Sequence, residues 1–246
     1  MTKICFHPIL LMSEKRSKPP HITPGPKEAQ ASCDMGLFFI KSEKIAILID
    51  GAFLKNKLRK KLRRYPEAKD IVDHCHSLLN SENLKASELF RIYYYDALPF
   101  EKAVVNPIDG KRILLIQKDY VRSGKKLIQK LELTPNFAIR KGIAVNRGWK
   151  LGSQALKSIS KGKNTLNPEN IIPDIQQKSV DLKIGLDIAW LSVKHIVDAI
   201  LLITGDSDLI PAMKFARREG IKIYLNTLDH SVNRELKVHS DLRIEV

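Results

Sequence analysis

Cysteine is scarce in this chain, with three in 246 residues. Cys5, Cys33 and Cys75 are too few and too widely spaced for a disulfide framework or a paired-cysteine zinc site. Long hydrophobic runs are also missing. No apolar stretch approaches the roughly 18–20 residues that a membrane helix needs. Ile9-Leu10-Leu11-Met12 is shorter than the apolar core of about 7–15 residues in an export signal, and no small-residue cleavage site follows it. The expected compartment is therefore the cytoplasm, with no membrane partner. Acid is the undersupplied charge: 27 Asp and Glu stand against 42 Lys and Arg, a net +15. Such a surplus points to a polyanion, nucleic acid before an anionic membrane surface, or else to solubility alone. With 43% hydrophobic residues the chain can bury a core, which excludes wholesale disorder.

Residues 1–42 are Pro-rich, polar and aperiodic, and are expected to form a disordered basic tail. Residues 43–246 are expected to form one domain. Ile45-Ala46-Ile47-Leu48-Ile49 is a continuous apolar run, which suggests a strand buried on both faces. Ala199-Ile200-Leu201-Leu202-Ile203 is a second. Arg91 to Tyr95 is β-prone, and Ile221 to Leu225 and Leu242 to Val246 read as further strands. Helices are expected over 52–64, 67–79, 113–131, 180–197 and 209–219, the last ended by Gly220. Phe137 to Val145 reads as a strand or as a hairpin turning at Gly142. Residues 146–179 carry Gly, Ser, Asn and Lys, and 133–168 hold no acid, so a basic loop or insertion is expected there. Strands alternating with helices predict a three-layer α/β domain with a mainly parallel central sheet.

Acids sit at informative places in this pattern. Asp50 ends one buried strand, Asp206 and Asp208 follow another, and Asp96 ends a third. In an open parallel sheet these strand ends share one edge, where ligands bind. Asp181 opens the helix leading into the strand before Asp206. Asp187 lies six residues further on, about 120° round the helix. Each acid alone has a simpler reading as a helix cap or turn residue. Together, carboxylates at one edge repel one another, and a hard divalent cation such as Mg²⁺ or Mn²⁺ removes that cost. Such a site can cut phosphodiesters while basic groups hold the backbone.

The motifs Ile47-Leu48-Ile49-Asp50-Gly51-Ala52-Phe53, Tyr93-Tyr94-Tyr95-Asp96-Ala97, Lys178-Ser179-Val180-Asp181 and Thr204-Gly205-Asp206-Ser207-Asp208-Leu209 together resemble the NYN domain, the LabA-like branch of the PIN-like nuclease superfamily. The resemblance spans about residues 44–246. It implies a Rossmann-like PIN fold and a Mg²⁺- or Mn²⁺-dependent ribonuclease, with Asp50, Asp181, Asp206 and Asp208 as the catalytic and metal-binding cluster. It adds Asp187 as a metal ligand or its support, and puts Asp96 and Ser207 at the site edge. The chain departs from the family pattern at Ser179 for Gly, Thr204 for Ser and Leu209 for Phe. Phe53 stands where many members carry an Asn. A catalytically silent RNA-binding or regulatory protein of the same fold is the alternative, and a small-molecule phosphatase a third.

Seven cations crowd residues 55–64 without an acid. Lys55, Arg59, Lys60 and Arg63 are expected to track an RNA backbone, single-stranded or structured, with Arg140, Lys141, Arg147, Lys150 and Lys178 as a second group. Tyr93, Tyr94 and Tyr95 alternate faces in a strand, so at least one is core, and Trp149 could stack on a base. Asp73-His74-Cys75-His76 fans around a helix and cannot converge on one zinc ion. Asp208 interrupts the Gly-Asp-Ser-Leu pattern of a serine hydrolase.

Overall fold

The computed structural model describes residues 42–160, 162 and 166–246. The expected tail over 1–42 lies almost wholly outside the described residues. In chain order the elements are β1 (Lys44–Asp50), α1 (Gly51–Leu62), α2 (Ala68–Leu79), β2 (Glu88–Ala97), β3 (Ala103–Val105), β4 (Arg112–Leu114), α3 (Asp119–Glu132), β5 (Phe137–Leu151), α4 (Ser153–Ile159), β6 (Ile171–Lys178), α5 (Val180–Val193), β7 (Ala199–Ile203), α6 (Ile210–Arg218), β8 (Lys222–Asn226), α7 (Arg234–Val238) and β9 (Leu242–Arg243).

Seven strands form one sheet in the order β6-β5-β2-β1-β7-β8-β9, and β3 and β4 form a separate hairpin. Every pairing in the large sheet is parallel except β5 with β6. Two cores sandwich this sheet. Ile45, Ile47 and Ile49 of β1 point to one face, where Leu54 and Leu58 of α1, Ile71 and Leu78 of α2 and Leu131 of α3 cover them. Ala46 and Leu48 point to the other, under Ile184 and Ile188 of α5 and Met213 of α6. A central strand with helices on both sides has no polar face, which explains its unbroken apolar run. The α/β fold with a largely parallel sheet between helices is the one expected.

Several local expectations differ from the structure. The helix expected from Ile113 starts at Asp119, because Arg112–Leu114 pairs with Ala103–Val105 as β4. Gly142 is no turn; it lies inside β5, which runs on to Leu151. A methyl there would meet Val180 Cγ2 at 2.6 Å, so the missing side chain is what lets the start of α5 cross β5. Residues 146–179 are not one loop either. They finish β5, form α4, and return as β6 antiparallel to β5. Tyr94 and Tyr95 are fully buried and Tyr93 nearly so, so none is free to stack on a base. The helix before Gly220 ends as expected, with that glycine in the left-handed region at φ 81°.

Candidate active site

Chain order fixes where the site lies. From β1 the chain moves to β2 on one side, while β7 pairs with β1 on the other. This reversal opens a crevice at the carboxyl ends of β1 and β7. Asp50 is the last residue of β1, and Ile49 pairs with Ile203, the last of β7. Thr204, Gly205 and Asp206 follow directly, so both acids border the crevice.

Backbone caps orient these carboxylates. Asp50 caps α1, its Oδ1 accepting from the Phe53 N–H at 3.0 Å, and Thr204 Oγ1 donates to its Oδ2 at 3.4 Å. The start of α1 can lie this close to β2 only because residue 51 is glycine. A Cβ there would fall 2.7 Å from both Tyr94 Cζ and the Tyr95 carbonyl oxygen. Asp206 caps a single 3₁₀ turn, Ser207–Leu209, accepting from the Asp208 N–H at 2.9 Å. Its own N–H donates to Thr204 Oγ1 at 3.1 Å. Ser207 is half-buried between the two acids. Asp181 sits in the first turn of α5.

The four acids share one electrostatic field. Burial pushes the Asp50 carboxyl up to about 6, and the charges of Asp181 and Asp206 add to the rise against the opposing Phe53 N–H. Asp181 is also raised, by lost hydration and by Asp206 and Asp208. Among the described residues none of Asp50, Asp181, Asp206 and Asp208 has an ion-pair partner. Hard oxygen donors with uncompensated charge suit Mg²⁺ or Mn²⁺ in kind. Among the described residues, however, no group of three or more His, Cys, Asp or Glu side chains is placed to hold a metal ion. The set fits such a cation in donor type and charge, but not in convergence.

Two other acids are engaged elsewhere. Asp187 accepts from the Tyr95 hydroxyl at 2.7 Å and from Arg140 Nε at 2.8 Å, tying α5 to β2 and β5. Asp96 is fully buried and is met by Lys55 Nζ at 2.5 Å, Gln177 Nε2 at 2.8 Å and the Tyr94 hydroxyl at 3.3 Å.

The cations divide in the same way. Lys55 is spent on Asp96 and Arg64 on Asp70. Arg59, Lys60 and Arg63 are exposed and have no carboxylate partner among the described residues. In the second group Arg140 pairs with Asp187, Lys141 with Glu132 and Lys150 with Asp174, while Arg147 and Lys178 are exposed and have no ion pair among the described residues. Of the first group, Arg59, Lys60 and Arg63 thus stay unpaired among the described residues, in the last turn of α1 and just past it, at the opposite end from the Asp50 cap.

A family model described as the NYN domain matches residues 103–244. The chain belongs to the NYN domain family. This places it in the PIN-like superfamily, whose domains generally act on nucleic acids and have nuclease-type activity. Asp181, Asp187, Asp206 and Asp208 lie inside the matched residues of this NYN domain; Asp50 and Asp96 precede them. No curated protein matches. Among solved structures, the chain is similar to a protein of unknown function from Vibrio parahaemolyticus. The identity is 14% and the TM-score 0.48, over 83% of this chain and 93% of that one.

Phe53, which also precedes the matched residues, has a definite place in the fold. Its ring lies on Gly205, so close that a methyl at 205 would meet Phe53 Cε2 at 2.5 Å. Lys57 Nζ sits 5.3 Å from the ring centroid, and the His230 ring lies 6.5 Å away. With Lys60 these residues line an open groove of about 550 Å³ beside the acids. Tyr65, in the connection after α1, and Tyr120, in α3, stand 55 positions apart and share no motif that would single them out. Lys55, expected to contact RNA, is instead paired with Asp96, a partner 41 residues away that nothing local signals. His74 and Cys75 are buried in α2, where His74 Nε2 bonds Asn226 Oδ1 at 2.9 Å, far from any zinc role. No helix among the described residues is long and apolar enough to cross a membrane.

Proposed function

We propose that the chain is a metal-dependent ribonuclease of the LabA-like branch that hydrolyses phosphodiester bonds in RNA. The observation that carries this reading is the group of four carboxylates at the β1–β7 crevice, with Asp50 and Asp181 raised by burial and by their acidic neighbours and no ion-pair partner among the described residues. Asp50, Asp181, Asp206 and Asp208 would hold Mg²⁺ or Mn²⁺. When bound, such a cation polarises the phosphodiester and lowers the pKa of water. The chain's own part is orientation and attraction. The Phe53 N–H and Thr204 hydroxyl hold Asp50, the Asp208 N–H holds Asp206, and Arg59, Lys60 and Arg63 draw the phosphate backbone toward them.

A second reading is an RNA-binding protein of the same fold without catalysis. It is favoured by the acids' lack of convergence on one centre and by the Phe53 ring, packed where family members carry a polar Asn. Cleavage of a labelled mixed-sequence RNA with and without Mn²⁺ separates the two. Metal-dependent cuts lost in Asp206→Asn support the ribonuclease. Tight binding with no cuts under either Mg²⁺ or Mn²⁺ supports the silent binder.

A further inference from the structure

Beyond the groove under Phe53, a second hollow of about 500 Å³ opens on the other flank of α1. Asn56 and Arg59 line both, so α1 is the ridge between them. The volume falls within the range of about 300–1,000 Å³ typical of small-ligand sites. Tyr65, Phe100 and Tyr120 line it, and so do Lys55, Ala97 and Gln177.

Three features give this cleft a chemistry. First, Tyr65 and Tyr120 are 37% and 44% exposed, in a protein whose strand tyrosines at 93–95 are buried. Both line this one hollow, and burial first, then the charge of Tyr65, raises the Tyr120 phenol. Second, Arg59 lies over the Tyr65 ring, 4.4 Å from its centroid, and has no carboxylate partner among the described residues. Third, two of its lining residues are held in place, because Lys55 and Gln177 are both bound to the fully buried Asp96. Exposed aromatic faces beside an unpaired guanidinium suit a flat π-system attached to an anion. That π-system must be unstacked before it can enter, which a base in a duplex is not.

We infer that this cleft takes one unpaired nucleobase of single-stranded RNA, stacked on Tyr65 and Tyr120, with Arg59 on the adjoining phosphate. The strand then crosses α1 toward the Phe53 groove and the carboxylates beyond it. The inference rests on the reading of this chain as an RNA-acting protein, and it names the substrate form: a single strand with an unpaired base held across α1 from the reacting phosphate. A free nucleotide would use one hollow and leave the cations along the ridge idle.

The test uses the full chain carrying Asp206→Asn, in EDTA, so that binding is read without cleavage. The probes are a 12-nucleotide RNA containing one 2-aminopurine and the blunt duplex of the same sequence. The expected result is quenching of the aminopurine in the single strand, with duplex binding much weaker. Tyr120→Leu and Tyr65→Leu should each weaken single-strand binding about 5- to 100-fold and relieve the quench, while Tyr120→Phe, which keeps the ring face, binds normally. Arg59→Ala should lower the slope of log K against log salt by about 1. Duplex bound as tightly as the single strand, or no quench with both tyrosines unsubstituted, overturns the inference even if a leucine variant misfolds. The two readings fail separately. Metal-dependent cutting by the wild type with no effect of the tyrosines removes the cleft and keeps the ribonuclease. Quenching without cutting under any metal removes the ribonuclease and keeps the cleft.

Discussion

Lys55 Nζ stands 2.5 Å from Asp96 Oδ2, and the carboxylate it meets is fully buried. Removing one partner of such a pair leaves a charge without compensation in a poor solvent. Lys55→Met should therefore destabilise the domain by about 3 kcal/mol, although Gln177 and Tyr94 still bond Asp96. Asp96→Asn on top of it removes the stranded charge and should recover a good part of the loss. Urea unfolding of the two single variants and the double variant measures this as a cycle. A Lys55→Met midpoint equal to the wild type would mean that the ion pair carries no stability.

Ser179 precedes α5 with φ 65°, in the left-handed region, and its side chain makes no capping bond. A residue with a Cβ is strained there, and glycine is not. Ser179→Gly should raise stability by about 0.5–1 kcal/mol, the relief of strain being partly offset by the greater entropy of the unfolded glycine. Thermal melts check it. No gain, or a loss, would show that Ser179 makes a compensating contact in solution.

Much of the fold was legible because local pattern and burial agreed. The apolar runs at 45–49 and 199–203 are central strands covered on both faces, and Asp50 and Asp206 follow them as the pattern predicts. β6 was not legible. Gln176, Gln177 and Lys178 are polar and exposed, and they form a strand only because β5 offers an antiparallel edge. The roles of Asp96 and Asp187 were hidden for a similar reason. Their partners, Lys55, Gln177 and Arg140, lie 41 to 81 residues away and are brought to them only by the finished sheet.

Phe53 and Gly205 set a steric limit at the mouth of the site. Gly205→Ala must displace the Phe53 ring, and overpacking of this kind costs about 1–3 kcal/mol. The ring can swing toward the open groove, so the lower end of that range is expected. In a Phe53→Asn background the same alanine meets no ring and should cost little. A pair of thermal melts decides the matter. An equal cost in both backgrounds would mean that backbone, not the ring, resists the methyl.

Asp50 links stability to pH in the direction opposite to that of most carboxylates. Its folded pKa is raised from 3.8 to about 6, so between those values the native state binds more protons than the unfolded chain. The stabilisation from protonation is fully present below about 3.8 and is lost as pH rises through about 6. The shift of roughly two units corresponds to about 3 kcal/mol at most. Asp50→Asn keeps an oxygen for the Phe53 N–H but carries no charge. It should be more stable than the wild type by up to that amount at pH 8, with the advantage gone near pH 4. Urea titrations of both proteins in EDTA across this range measure the difference. If the two curves run parallel, Asp50 is not raised and the four acids are too well hydrated to repel. If they converge as expected, Mn²⁺ at pH 8 should raise the melting temperature of the wild type and leave that of Asp50→Asn nearly unmoved. The carboxylate whose ionisation costs the folded state most is then the one that gains most from a cation.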